Sequence, residues 1–298
     1  MNRSVGALIL LASLLPAAAS AQSTRRVFVD ATTDSGATVT DLRAEEFEIR
    51  EGGERREISA VSTARRPMRL ILMVDSGEGI RQPIGQVRRA LTGFLETVDP
   101  QHEMMLITIS GTMQVRVQPT LERKPLVDQV DRLFGTSGVN PMHRIIDEVS
   151  RRFAQTTDRR AVIVVVTAEG FASAQQVNPK DIARIGDEIR KRGGVLHAVR
   201  LLVPASLLST IPPGEAPTEL PVSTMVSRGT GGIYRDISVA GLAEVLQSLA
   251  TEINRAHERT PLSYQVEYAS APVKGKKPSA PEVRVTREGV RLSVVSSY

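Results

Sequence analysis

The sequence predicts an α/β protein: a doubly wound, mostly parallel sheet wrapped by helices, with a small β-rich unit made from the N- and C-terminal segments. Three observations carry this. Between residues 67 and 259, segments of strand length alternate with segments whose apolar residues recur at helical spacing, as in a parallel sheet with crossover helices. Residues 162–166 are continuously apolar, as a strand covered on both faces must be. At both ends of the chain the pattern is period two, interrupted by turn residues, which marks short antiparallel strands.

The chain opens with Met-Asn-Arg, an apolar run over 5–15, Pro16 and Ala19-Ser20-Ala21. That is the charged, hydrophobic and small-residue order of a secretory leader covering 1–21, with cleavage expected after Ala21. The run is shorter than the ~20 residues a bilayer span needs, so no transmembrane segment is expected in the mature chain. An N-terminal β segment, 24–64, follows. Val27, Val29 and Ala31 alternate, Asp34-Ser35-Gly36 turns, and strands are expected at 38–42 and 47–50. Gly52-Gly53 then turns before Ile58 and Val61.

In the central unit, 67–259, strands are expected at 68–74, 104–110, 114–118, 162–167 and 195–201, with a short one near Ile233. Helices are expected at 84–98, 125–134, 142–155, 179–191 and 239–256. Ile145, Ile146, Val149 and Phe153 share one helical face, as do Leu242, Val245, Leu246 and Leu249. The Pro-rich stretch 203–226 reads as a lid or loop. The C-terminal β segment, 262–298, offers strands at 262–268, 282–286 and 290–295 around the turn Glu288-Gly289. Neither end segment is large enough to stand alone, so the two are expected to pack together.

With 41% hydrophobic and 24% charged residues, the 298-residue chain is apolar enough to fold. The formal net charge of +5 is spread over short clusters such as Arg65-Arg66, Arg151-Arg152 and Arg159-Arg160. Aromatics make up only 3%, leaving little to stack on bases, so nucleic acid is not expected as a partner. Without cysteine there is no disulfide and no lipid-modified cysteine at the cleavage site. The mature protein is expected in the periplasm or secreted.

Several segments together resemble a known family. They are Leu42 through Gly53, the run MRLILMVDSGEG at 68–79, Arg160-Ala161 before the apolar strand, Thr230-Gly231-Gly232-Ile233-Tyr234, and a C-terminal strand pair ending in Tyr298. In this order they resemble exported bacterial proteins carrying a von Willebrand factor type A (VWFA) domain. The resemblance implies a Rossmann-like fold that binds macromolecules through a divalent cation, Mg or Mn. The implied ligands are an Asp-x-Ser-x-Ser loop (the MIDAS motif), a Thr from a second loop and an Asp from a third.

Position by position, that motif is degenerate. Asp75 matches the first carboxylate, but Gly77 and Gly79 stand at the two serines. Asn140 stands where Thr is expected, with Thr136 and Ser137 as alternates. The third Asp is either Ala168 or replaced by Glu169, and Glu78 adds a carboxylate read as lying in an exposed turn. Asp75, Asn140 and Glu169 are therefore the remaining candidate metal ligands. Magnesium demands near-octahedral oxygen coordination, so the expectation is that neither a metal nor another cofactor is used.

Enzymatic signatures are missing. The Gly-x-Ser-x-Gly elbow is absent, and Gly135-Thr136-Ser137-Gly138 has the wrong spacing. His102, His143, His197 and His257 fall one per element with no His-x-x-x-His pair. Gly229-Thr230-Gly231-Gly232 lacks the lysine of a phosphate loop and reads as a structural turn. The pairs Glu45-Glu46 and Asp147-Glu148 sit beside basic residues, and adjacent helical residues point different ways.

No catalytic residue is assigned. The expected function is a non-enzymatic, exported interaction module that binds a protein partner with Asp75, Glu78, Ser137, Asn140, His143 and Glu169 on the top face. The alternatives are a metal-dependent adhesion domain with a remodelled cation site, a structural envelope protein, and an unrecognised hydrolase.

Overall fold

The structure, a computed structural model, describes residues 23–136, 141–154, 159–168, 178–202, 221–270 and 281–294. The N-terminal segment supplies β1 (Ser23–Thr33), β2 (Phe47–Glu51), β3 (Glu54–Arg56) and β4 (Ile58–Ala64). The central segment follows with β5 (Met68–Asp75), α1 (Glu78–Arg81), α2 (Ile84–Thr97), β6 (Glu103–Ser110), β7 (Thr112–Thr120), α3 (Lys124–Val130) and α4 (Met142–Arg152). It continues through β8 (Arg160–Thr167), α5 (Pro179–Lys191), β9 (Val195–Leu201), α6 (Val222–Thr230), β10 (Tyr234–Ile237) and α7 (Leu242–Glu258). The chain ends with β11 (Ser263–Ser270), β12 (Pro281–Val285) and β13 (Val290–Val294).

The two ends of the chain build one β unit. Its sheets run β13-β1-β11-β4 and β12-β2-β3, so each contains strands from both ends. The alternating inward residues Val27, Val29, Ile49, Tyr264, Val266 and Tyr268 fill the space between them. The strand expected at 38–42 does not form. Thr38 makes a single bridge to Thr32, and a 3₁₀ turn at Ala44–Glu46 leads into β2. Leu42 is instead buried, and its N–H donates to the Tyr264 hydroxyl at 2.8 Å.

A buried carboxylate ties the two sheets together. Glu51, 3% exposed, accepts hydrogen bonds from Arg25, from Ser270 Oγ at 2.7 Å and from Tyr268 OH at 3.4 Å, and lies 3.6 Å from the Arg56 guanidinium. Glu51→Gln keeps the shape but takes the counter-charge from Arg25 and leaves Arg56 with Glu54 alone, at 3.0 Å. It is expected to cost about 2 kcal/mol in urea denaturation. An unchanged midpoint would refute this role for Glu51.

The central sheet has the order β10-β9-β8-β5-β6-β7, parallel throughout except for β7, which pairs antiparallel with β6. Strand order reverses between β5 and β8, so the crevice at their carboxyl ends is the place where such sheets bind ligands. Successive residues of β5 serve opposite faces. Leu70, Leu72 and Val74 join the core with α2, α3 and α7, while Ile71 and Met73 join the core with α4, α5 and α6.

Three helical segments differ from expectation. The helix expected at 125–134 ends at Val130, because Leu133 turns inward and its carbonyl accepts from Arg88 Nε at 2.9 Å. Residues 222–226 lie in α6 and not in a loop; Val222 and Val226 are buried against the sheet, and packing outweighs the weak helix propensity of a Ser/Thr-rich run. Residues 203–220 of that stretch lie outside the described residues. Glu78 opens α1, half-buried, where an exposed turn was expected, since Gly77 caps a short helix whose Ile80 is fully buried. No helix among the described residues is long and apolar enough to cross a membrane.

Candidate functional site

Asp75 is the last residue of β5, and Thr167 is the last of the adjacent β8, so the parallel register brings their side chains together at the switch point. Asp75 is only 6% exposed. Its Oδ1 accepts from the Gly77 N–H at 2.7 Å. Its Oδ2 accepts from Thr167 Oγ1 at 2.8 Å and from the Ala168 N–H at 3.3 Å. Both carboxylate oxygens are thus committed to the protein's own donors. The carboxylate works as a clasp that fixes the first loop and the end of β8.

The neighbouring oxygens are committed too. Ser76 Oγ donates to the Ile109 carbonyl at 2.8 Å. Thr136 donates its amide and its hydroxyl to the Ser76 carbonyl, at 2.6 and 2.9 Å, and its Oγ1 lies 2.7 Å from Ser110 Oγ. Since the Thr136 proton is used on Ser76, the Ser110 hydroxyl donates to Thr136. Gly135 allows this close approach, because a Cβ there would overlap the backbone of Arg81.

Of the other residues expected on this face, Glu78 begins α1 and His143 lies in the first turn of α4, both half-buried. Ser137, Asn140 and Glu169 lie outside the described residues. Ala168 contributes a backbone donor to Asp75 and no ligand. Among the described residues, no group of three His, Asp or Glu side chains is arranged to hold a metal ion.

A solvent-open cleft of about 310 Å³ adjoins the clasp, lined in part by Ser110, Gln114, Arg116, Phe134 and Thr136. Phe134 is 59% exposed at its rim, and Leu202, just past β9, is 50% exposed. Sequence reasoning missed Phe134 because it placed the residue inside a helix. At the outer strands, Arg200 grips Asp236 with two bonds of 2.6 and 2.8 Å, and the Tyr234 hydroxyl also meets Asp236. The guanidinium bond holds the Asp236 carboxyl below its usual range, and the same bond raises Arg200. That triad is self-satisfied. The 229–232 segment is the C-terminal cap of α6, with Gly231 at φ +75°.

No family model matches the chain, and no curated protein matches it in sequence. Among solved structures, it is similar to BatB from Bacteroides thetaiotaomicron, at 11% identity and a TM-score of 0.48, covering 65% of this chain and 100% of that one. It is also similar to a von Willebrand factor type A protein from Catenulispora acidiphila, at 13% identity and a TM-score of 0.49, covering 91% of this chain and 72% of that one. The vWF domain of the type V pili tip protein Mfa5 from Porphyromonas gingivalis is similar at 8% identity and a TM-score of 0.47, covering 66% of this chain and 98% of that one. At these identities and scores, no residue role and no activity is carried over from them.

Proposed function

We propose that this protein is an exported, non-enzymatic interaction module that binds a protein partner at the carboxyl ends of the strands of its α/β unit, with neither a bridging metal nor a cofactor. The observation that carries this reading is the Asp75 clasp. The one carboxylate that matches the VWFA cation motif spends both oxygens on Gly77, Thr167 and Ala168, and Gly77 and Gly79 offer no hydroxyl in place of the serines. The leader-like first 21 residues supply the address. Recognition then falls to Glu78, His143 and the exposed Phe134 and Leu202, with Ser137, Asn140 and Glu169 assigned to the same face from sequence.

Two measurements test the reading. Calorimetry of residues 22–298 with Mg²⁺ and Mn²⁺ is expected to give no saturable heat, and partner capture is expected to survive chelator. Asp75→Ala is expected to destabilise the protein by about 2–3 kcal/mol, because three donors lose their acceptor, and to do so equally with and without metal. Metal-dependent stabilisation of the wild type that disappears in Asp75→Ala would sink the metal-free reading and restore the adhesion-type alternative.

A further inference from the structure

The cleft beside the Asp75 clasp carries a cation that no carboxylate among the described residues answers. It lies between β7, the edge strand of the central sheet, and residues 133–136. On β6, Leu106 and Ile107 stand opposite Val117 and Val115, so Arg116 is the extra residue of a bulge in β7. Bulges on edge strands re-aim a side chain, and here the Arg116 guanidinium lines the cleft together with Gln114 and Thr108. Phe134 supplies an apolar rim, 59% exposed, while its neighbour Leu133 takes the inward position.

The polar groups of the cleft differ in what they have left to offer. Ser76, Ser110 and Thr136 spend their hydroxyl protons on the Ile109 carbonyl, on Thr136 and on the Ser76 carbonyl. Arg116 is half-buried. Its Nη1 donates to Gln114 Oε1 at 3.4 Å, a long bond at the surface. Its Nε is enclosed, whereas Nη2 stays open to solvent and has no partner among the described residues. The root of the guanidinium is therefore held by the protein and its tip is free. The Gln114 amide nitrogen and the Thr108 hydroxyl also lack partners among the described residues, and no carboxylate among those residues lines the cleft.

We propose that this cleft seats a carboxylate side chain from an acidic segment of the protein partner, gripped by Arg116 Nη2 and the Gln114 amide nitrogen, with Phe134 covering an apolar residue beside it. The inference rests on the reading of the strand ends as a metal-free partner site, and it gives that site a cation of its own. Charge decides the class of ligand, because the groups left over are donors around a single positive charge. A guanidinium fork matches a carboxylate, and hydrogen bonds between the two are stronger than neutral ones. One cation balances one carboxylate but leaves a phosphate dianion half compensated. Size agrees with this. About 310 Å³ lies at the bottom of the range for ligand pockets and suits one side chain better than a free cofactor. An arginine beside an exposed aromatic ring is also the composition of an interface hot spot.

The test is an NMR titration of residues 22–298 with the acetylated and amidated tripeptide Leu-Glu-Leu, run in chelator and again in Mg²⁺. Saturable shifts are expected at the Arg116 Nε–H and the Gln114 side-chain amide, with a Kd of about 1 mM in either buffer. The peptide Leu-Gln-Leu and inorganic phosphate are expected to bind about tenfold more weakly, as is Leu-Glu-Leu to Arg116→Gln. That variant changes a half-buried residue of an edge strand and should fold. Arg116→Lys, which keeps the charge without the fork, is expected to recover part of the affinity, and Phe134→Ala to lose about threefold. Equal binding of Leu-Gln-Leu or phosphate, silent Arg116 and Gln114 resonances, or unchanged affinity in Arg116→Gln would overturn the proposal. Shifts confined to His143 and Leu202 would remove the Arg116 seat and leave the metal-free partner site standing. Binding that needs Mg²⁺ would strike the metal-free reading itself.

Discussion

Lowering the pH from 7.5 to 4.5 is expected to cost the protein about 5 kcal/mol of stability through two histidines alone. Burial depresses His102 and His197 to about 4 from an ordinary 6.5, and nearby Arg160 adds to the effect at both. In each ring the Nδ1 lone pair accepts a backbone N–H, from Met68 at 3.4 Å and from Ile233 at 3.0 Å, and a proton on Nδ1 would remove that acceptor. Because the folded values lie below the unfolded ones, the stabilisation is complete above pH 6.5 and is lost as the pH falls from 6.5 towards 4. His257 is depressed as well and adds in the same direction. Urea midpoints at the two pH values measure the loss. His197→Asn, whose carbonyl can accept from Ile233 without titrating, is expected to remove nearly half of the pH dependence. A flat stability profile across this window would show that these rings are not held neutral.

Much of the fold was legible because its signals are local. The apolar run of β8 and the helical stripes of α4 and α7 depend only on residues a few positions apart, and the two core clusters use those same residues. The pairing of the two chain ends followed from the insufficiency of either alone. What escaped was decided over distance. The bend after α3 depends on Arg88 reaching the Leu133 carbonyl, and α6 depends on β9 covering its buried Val222 and Val226. His102 and His257 looked unrelated because their contact exists only once α7 lies beside the start of β6.

The candidate site divides along the same line. The degenerate motif around Asp75 could be read from Gly77 and Gly79. The carboxylate's commitment to Thr167 and Ala168 could not, because that requires the register between β5 and β8.

Gly232→Ala is expected to be among the most damaging single substitutions in the α/β unit, at about 4 kcal/mol or outright failure to fold. An ideal Cβ at this position would overlap the Leu196 carbonyl oxygen and lie 2.7 Å from the carbonyl carbon. Neither partner can retreat. Leu196 belongs to β9, held in register with β8, and its N–H also donates to Thr230 Oγ1 at 3.0 Å. On the other side, the Gly232 N–H donates to the Ser227 carbonyl at 2.8 Å, and the Ile233 carbonyl accepts from Ala198 at 2.9 Å. Gly231 provides the control. Its φ of +75° makes an alanine there strained, at about 1–2 kcal/mol, yet no heavy atom lies within 4 Å of its Cβ direction. The two neighbouring glycines should therefore differ at least twofold in cost, for steric reasons at one and conformational reasons at the other. Urea denaturation of both variants at pH 7.5 decides it. Equal losses would mean that the turn after α6 yields as a whole and is not pinned to β9.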